Sequence, residues 1–402
     1  MRVAWLGHRS ATAGDGLITY SREMTRGLLE RGLDVVFFHH DPGHAGDGSI
    51  ALDAYRVSNR LLVERPGSRR RLEDLLRWHK VDIVHVSLSF SSLDMEIPRT
   101  CHRLGLPAVA TFHVPFDVRN TWWGGLSKTL YRIYSGLLAR YDRVIVFGGT
   151  QAMLLKRMGV PPESLLVLPN GVDIGRWCPG PSNVRDRFGG DRLFTYMGRL
   201  SAEKHVEELL RAFTEVAPPG VRLLIVGGGK DRRYLERRYG GRQVVFLGNV
   251  SDEPERVAIL RRSDAFFLPS SIEGLSLALL EAMACGTTVV ATDVGVDGDA
   301  IRGAGILLDP TCLEVELQLA IRMLTQLPHV CSELGRVARR RAIERYSLGV
   351  VLDRLVQTYW ELAGASIHRE DLSRQPALVP PSIGQLAHPM APLKDSQIST
   401  SR

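Results

Sequence analysis

Cysteine is scarce in this 402-residue chain: Cys101, Cys178, Cys285, Cys312 and Cys331, odd in number and scattered. No Cys-x-x-Cys pair occurs, so neither a zinc site nor a disulfide framework is indicated, and a reducing, cytosolic compartment is expected. No apolar run approaches the length that spans a bilayer. The opening Met1-Arg2-Val3-Ala4-Trp5-Leu6-Gly7 is too short in its apolar part for a signal peptide and reads as a first buried strand. The dinucleotide spacing G-x-G-x-x-G fails in Ala13-Gly14-Asp15-Gly16-Leu17-Ile18. Val226-Gly227-Gly228-Gly229-Lys230 lacks both the Walker spacing and a Ser or Thr after its lysine, and reads as a strand-to-helix turn. Phe38-His39-His40-Asp41, with His44 nearby, matches no strong metal spacing and reads as a polar loop after a strand. No internal repeat and no recognisable nucleic-acid module is evident.

Positive charge is present but uneven. Of the net charge of +7, +6 lies in residues 1–170, where 22 Lys and Arg meet 16 Asp and Glu. A basic half suits an anionic partner: a phosphorylated acceptor, an anionic membrane surface or nucleic acid. It equally suits a solvated, arginine-rich surface. Short apolar runs alternate with amphipathic stretches throughout. Strands are expected at 3–6, 34–38, 83–86, 108–112, 143–146 and 165–168, with helices such as 18–31, 69–79 and 127–141 between them. Pro, Gly and Asn break the pattern at 170–181, and a second strand series follows at 193–197, 222–226, 244–247, 265–268, 288–291 and 305–308. This is βαβ alternation, an α/β chain of two doubly wound parallel-sheet domains. The boundaries expected are 1–170, 171–346, a C-terminal helix at 347–365 packing back on the first domain, and a proline-rich, disordered tail at 366–402.

Ligands of such folds bind at the carboxyl ends of the strands. There lies Ser270-Ser271-Ile272-Glu273-Gly274-Leu275-Ser276, followed by a helix to Cys285 that Gly286 stops. Glu273 falls on the loop before the helix and Glu281 two turns into it. A helix N-terminus favours an anion, and carboxylates beside it favour hydroxyls. A nucleotide sugar brings both. Gly198-Arg199-Leu200-Ser201-Ala202-Glu203-Lys204 places two cations in a loop above the second sheet, where they could neutralise a departing diphosphate. Alternatively it is a helix start with Ser201 as N-cap. His113, at a strand end, points into the cleft or is a satisfied structural histidine. Gly14 and Gly16 sit in a turn before a helix, for close ligand approach or for turn geometry alone.

Five segments in order resemble glycosyltransferase family 4, the retaining enzymes of the GT-B fold, over about residues 1–360. They are Asp15-Gly16, Thr111-Phe112-His113, Leu168-Pro169-Asn170-Gly171-Val172-Asp173, Gly198-Arg199 to Lys204, and Glu273-Gly274-Leu275 through Glu281-Ala282-Met283-Ala284-Cys285-Gly286. The resemblance implies two Rossmann-like domains facing across a cleft, and sugar transfer from a nucleotide-diphosphate donor with retention of configuration. Under it Arg199 and Lys204 bind the diphosphate, and the Gly16 backbone approaches it from the other domain. Glu273 and the backbone of Gly274, Leu275 and Ser276 hold the sugar, while Glu281 holds the ribose. His113 steadies the anomeric centre through its side chain or its carbonyl. No cofactor and no metal is expected. Asp15, His205, Leu275-Ser276 and Val296-Asp297-Gly298-Asp299 depart from the family pattern.

The acceptor is open: lipid, polysaccharide or small molecule. Arg119-Asn120-Thr121-Trp122-Trp123 through Tyr134 mixes aromatics with cations, as does a membrane-lying or lipid-holding segment, or a helix packed on the core. Arg65, Arg69-Arg70-Arg71 and Arg77 add a basic patch suited to anionic lipid at the inner membrane face. An epimerase or phosphorylase on the same fold is the alternative enzyme. A nucleic-acid-binding protein would leave Glu273 and Glu281 without a role.

Overall fold

The computed structural model describes residues 1–8, 16–40, 48–52, 54–56, 62–88, 92–114 and 122–364. Asp15, Asp41, His44, 119–121 and the tail from 366 lie outside them. The first domain contributes the strands β1 (Arg2–Leu6), β2 (Asp34–His39), β3 (Ile50–Ala51), β4 (Ala54–Arg56), β5 (Leu62–Glu64), β6 (Ile83–Ser87), β7 (Ala108–Thr111), β8 (Arg143–Val146) and β9 (Leu165–Val167). All but β4 and β5, which pair antiparallel, form a parallel sheet ordered β3-β2-β1-β6-β7-β8-β9. Its helices are α1 (Gly16–Glu30), α2 (Ser68–Trp78), α3 (Ser92–Leu104), α4 (Trp122–Leu138) and α5 (Gly149–Arg157). Strands β6 and β7 are buried at every residue, as expected of a sheet covered on both faces.

The second domain repeats the plan. Its strands are β10 (Arg192–Met197), β11 (Val221–Val226), β12 (Val244–Gly248), β13 (Ala265–Leu268), β14 (Thr288–Thr292) and β15 (Ile306–Leu308), ordered β12-β11-β10-β13-β14-β15. Its helices are α6 (Val184–Phe188), α7 (Val206–Val216), α8 (Arg232–Tyr239), α9 (Glu253–Arg262), α10 (Leu277–Ala284), α11 (Gly295–Ile301), α12 (Leu313–Gln326), α13 (Pro328–Tyr346) and α14 (Leu348–Leu362). Strand order reverses between β1 and β6 in the first sheet and between β10 and β13 in the second. These are the two crevices in which doubly wound folds take ligands.

The chain crosses between the domains twice, side by side. Val172 pairs with Ser347 in a parallel bridge: Val172 N–H donates to Tyr346 O (2.7 Å) and Leu348 N–H to Val172 O (2.9 Å). Beyond this double strand α14 turns back onto α1. Leu352 fills the space left by Gly27, where a Cβ would lie 2.1 Å from Leu352 Cδ1, and Arg31 Nε meets Asp353 Oδ1 at 2.8 Å. Two expectations need correction. The helix expected at 127–141 runs from Trp122 to Leu138, and Tyr141 lies past its end because its hydroxyl donates to the Asp94 carbonyl (2.9 Å) in the core. His39, expected in a polar loop, ends β2 and is buried, with Nε2 3.1 Å from Ser49 Oγ.

Candidate active site

The two motif loops of the second domain meet because β10 and β13 are neighbours. The loop after β10 carries Arg199 and Lys204, and the turn after β13 carries Glu273. Ser271 N–H donates to Glu203 O (2.9 Å), tying one loop to the other. Glu273 Oε1 then accepts from Lys204 Nζ and from Ser270 Oγ (2.8 Å). An ammonium has three donors, so Lys204 keeps two beyond this pair. Arg199 is exposed and makes no side-chain hydrogen bond or ion pair among the described residues, so it stands ready for an anion.

A glycine turn supports the cation loop from behind. Leu200 N–H donates to Gly228 O (2.8 Å), and Gly198 N–H to Val226 O (2.9 Å). Gly227 and Gly229 have φ of 140° and 153°, and a Cβ on either would fall 1.9 Å from Gly198 O or 2.1 Å from Leu200 O. Only glycine permits that approach. Ser201 stands at the N-cap position of a single 3-10 turn, Ala202–Lys204, but its hydroxyl caps no amide: it donates to Glu203 Oε1 (2.6 Å), and the next α-helix begins only after His205, at φ 49°. Glycine adopts that left-handed conformation more readily than a residue with a Cβ. His205 is held by a bond between Nδ1 and Glu208 Oε1 (2.8 Å).

The turn bearing Glu273 is braced on three sides. Asn170 Nδ2, from the interdomain linker, donates to Leu275 O (2.7 Å), and Leu275 itself is a core residue. Val296 N–H donates to Gly274 O (3.0 Å). Ser276 caps α10, its Oγ accepting from Leu279 N–H (3.4 Å). The Ser276 amide, expected to face the sugar, is engaged instead by Asp297 Oδ1 (2.8 Å). Of the expected backbone donors, this one is taken within the protein.

Across the cleft, the His113 carbonyl faces the same turn: a Cβ on Gly274 would lie 4.0 Å from His113 O. The His113 ring turns into its own domain rather than into the cleft. Nε2 lies 2.8 Å from Ser87 Oγ, and the ring packs edge-on to Tyr20 at 4.8 Å. Burial, with His8 and His85 nearby, holds its pKa well below the usual imidazole range, so the ring is neutral. The atom of His113 placed nearest the Glu273 turn is its carbonyl oxygen. Gly16 opens α1 at the carboxyl end of β1, where a Cβ would meet nothing within 4 Å. At the ends of β1, β2 and β6 a cavity of about 10 Å³, room for one water at most, is lined by Leu6, Phe38, Leu52 and Val86 together with Gly7, His39, His40, Ser87 and Asp94. Among the described residues no group of three His, Cys, Asp or Glu could hold a metal ion.

Glu281 occupies a different environment from Glu273. It lies inside α10 at 7% exposure, with Oε2 3.6 Å from Arg256 Nη1. Burial raises its pKa to about 7, Arg256 opposing, with Glu253 and Glu23 adding to the rise. Arg176 of the linker joins these acids across the domains, 3.4 Å from Glu23 of α1 and 3.1 Å from Glu253 of α9. Residues 14–176 match the model of Glycosyltransferase Family 4, and residues 191–326 that of Glycosyl transferases group 1. The chain belongs to glycosyltransferase family 4. The MMP α-(1→4)-mannosyltransferase of Mycolicibacterium hassiacum is 28% identical, with 89% of this chain and 98% of that protein aligned. In fold, sucrose-phosphate synthase from Thermosynechococcus elongatus superposes with a TM-score of 0.75 at 21% identity, covering 91% of this chain and all of that one. Anabaena HepE in complex with UDP-glucose superposes at 0.70 and 18% identity, covering 90% of this chain and all of HepE.

This family 4 glycosyltransferase accommodates its departures locally. Val296 packs against Gly148 of the first domain, where a Cβ would lie 2.9 Å from both Val296 methyls. Asn170, Arg176, Arg256 and Asp297 were not singled out as site residues from sequence. Asn170 stood in a quoted motif, and Asp297 in a noted departure. Arg176 and Arg256 gave no signal of the site, because their nearby partners Asp173 and Glu253 make ordinary i,i+3 pairs, while Glu253 and Glu23 lie 77 and 153 positions from Arg176 and Glu281 is on another helix from Arg256.

Proposed function

We propose that the protein moves a sugar from a nucleotide-diphosphate sugar to a hydroxyl-bearing acceptor, with retention of configuration and without a metal. The observation that carries this reading is the convergence of Arg199, Lys204 and Glu273 at the β10–β13 crevice, opposite the His113 carbonyl. As the glycosyl–phosphate bond breaks, negative charge grows on the diphosphate and positive charge on the sugar. Arg199 and the two remaining Lys204 donors meet the first. The Glu273 carboxylate and the His113 carbonyl oxygen meet the second. Retention follows if the acceptor attacks from the face the diphosphate leaves, its proton passing to the departing phosphate oxygen. No carboxylate pair placed as nucleophile and acid is needed for that route. Glu281, one side of the crevice further on, suits the ribose hydroxyls. The acceptor's source is an anionic lipid surface, met by the basic first domain.

A thermal-shift panel of UDP-, GDP- and ADP-sugars tests the donor site. One of them raises the melting temperature of the wild type, since a ligand of the folded state alone stabilises it. Lys204→Ala keeps the fold and lowers transfer by about 10²–10³-fold, the scale for removing one stabiliser of developing charge. Turnover of the donor with no acceptor present would favour the epimerase reading. No shift with any donor, or wild-type transfer in Lys204→Ala, would overturn the assignment.

A further inference from the structure

Asp297 has no counterpart among the roles described so far, yet it is bonded to the turn that carries Glu273. It is 1% exposed, in the first turn of α11. That helix starts hard against the Glu273 turn: a Cβ on Gly295 would lie 2.0 Å from Glu273 O, and Val296 N–H bonds Gly274 O. Asp297 Oδ1 accepts the Ser276 amide at 2.8 Å. Asp297 Oδ2 is buried and has no hydrogen-bond partner among the described residues. A buried polar atom without a partner costs on the order of 1–3 kcal/mol, so it is rarely kept without a use. Ser276 and Asp297 also stand at two departures from the family pattern; the Ser276 amide is a backbone group, so the bond depends on the Asp297 side chain alone.

We propose that Asp297 is a specificity-determining residue of the donor-sugar pocket, fixing the Glu273–Ser276 turn through Oδ1 and presenting its unpartnered Oδ2 to a sugar hydroxyl beside Glu273. The inference rests on the donor-site reading above. The charged groups around Asp297 agree with it. Burial and the Glu273 carboxylate raise its pKa well above the usual carboxylate range, against the Ser276 amide and the Lys204 ammonium. Tyr346, at the end of α13, also faces it and stays a neutral phenol. On its own segment Asp293 is paired with Arg302 (2.9 Å), and Asp299 accepts from Thr150 of the first domain (3.2 Å). Two adjacent carboxyl groups, one ionised as acceptor and one neutral as donor, give a sugar hydroxyl a partner for each of its roles.

Asparagine separates this role from a structural one, because it keeps the Oδ1 acceptor and replaces the acid proton by an amide N–H. Binding of UDP, GDP and ADP, and of UDP-glucose, GDP-mannose and ADP-glucose, is measured by thermal shift on the wild type, Asp297→Asn and Asp297→Leu. The free nucleotides bind all three proteins within about twofold. The sugar nucleotide that stabilises the wild type binds Asp297→Asn within about threefold and Asp297→Leu about tenfold more weakly. Sugar-dependent affinity of the wild type falls at high pH as Asp297 loses its proton, and that of Asp297→Asn does not. Should Asp297→Leu not fold, the pH profile of Asp297→Asn against the wild type decides. Equal sugar binding in the Leu variant, a loss in Asn as large as in Leu, or parallel pH profiles of wild type and Asn would overturn the inference while leaving the donor site standing. If no nucleotide stabilises the wild type, the donor site itself falls, and Asp297's role with it.

Discussion

Glu273 and Glu281 are the same residue eight positions apart, and their surroundings give them opposite characters. Glu273 meets a lysine and a hydroxyl at the mouth of the crevice and serves as a carboxylate. Glu281 is enclosed by α10 and the linker, with other acids close by, and holds its proton to about pH 7. The consequence for stability has a definite sign. The native state binds this proton where the unfolded chain has released it, so Glu281's contribution falls as pH rises from the ordinary carboxylate range to about 7, then levels off. Glu281→Gln cannot ionise. It therefore matches the wild type near pH 4 and exceeds it at pH 8 by on the order of 2 kcal/mol, read by denaturant unfolding at the two pH values. The same variant binds nucleotides more weakly. A variant less stable than wild type at pH 8 would show that Arg256 outweighs burial.

Among elements, the loops after β10 and β11 act as one unit, and its weak point is Gly227. Gly227→Ala puts a methyl group into the Gly198 carbonyl at a φ that L-residues avoid. A loss above about 2 kcal/mol is expected, together with loss of nucleotide binding as the Arg199–Lys204 loop shifts. Gly228→Ala is the control: a Cβ there meets nothing within 4 Å, and the change stays within about 0.5 kcal/mol of wild type. Equal stability of the two variants would remove the argument for close packing. Elements of regular period were legible: β8 and β13 match their expected bounds, and α1 starts two residues and ends one residue before its expected bounds. Helix α3 was not expected, because Pro98 sits inside it and proline ordinarily ends a helix. The two-residue β3 carries too little pattern to be read.

At the scale of the whole molecule, the double crossing at Val172 and Ser347 and the return of α14 bind the two domains at one end. Arg176 adds an ionic link between α1 and α9 at the same place. Here the basic first domain also shows its outer surface. Trp78 is 81% exposed at the end of α2, beside a groove lined by Gly67, Arg70, Arg71, Asp74 and Leu75. Part of the patch is already paired, Arg69 with Glu96 and Arg77 with Asp74. An indole next to arginines suits the interface of an anionic bilayer. Co-sedimentation with phosphatidylglycerol vesicles at low salt is the measurement. The wild type is recovered with these vesicles and not with phosphatidylcholine, and Trp78→Ala with Arg70→Glu lowers recovery several-fold. Equal recovery with and without anionic vesicles would reject docking. No helix among the described residues is long and apolar enough to cross a membrane.

Alternating apolar runs and glycine stops by themselves determined the doubly wound architecture, and with it the strand ends at which Arg199, Lys204, Glu273 and His113 fall. Those signals are local, set by the periods of strand and helix, and need no knowledge of distant residues. Orientation and protonation were decided only in three dimensions. The sequence placed His113 at the cleft, but Ser87 and Tyr20 turn its ring away and leave the carbonyl facing Gly274. It offered the Ser276 amide to the ligand, but Asp297, twenty-one positions on, takes it. It placed Glu273 on the loop and Glu281 in the helix, but only the fold buried Glu281, raising its pKa to about 7, and brought Lys204 onto Glu273. Burial and through-space charge depend on which strands become neighbours, and the β10–β13 adjacency spans about seventy residues that no local pattern connects.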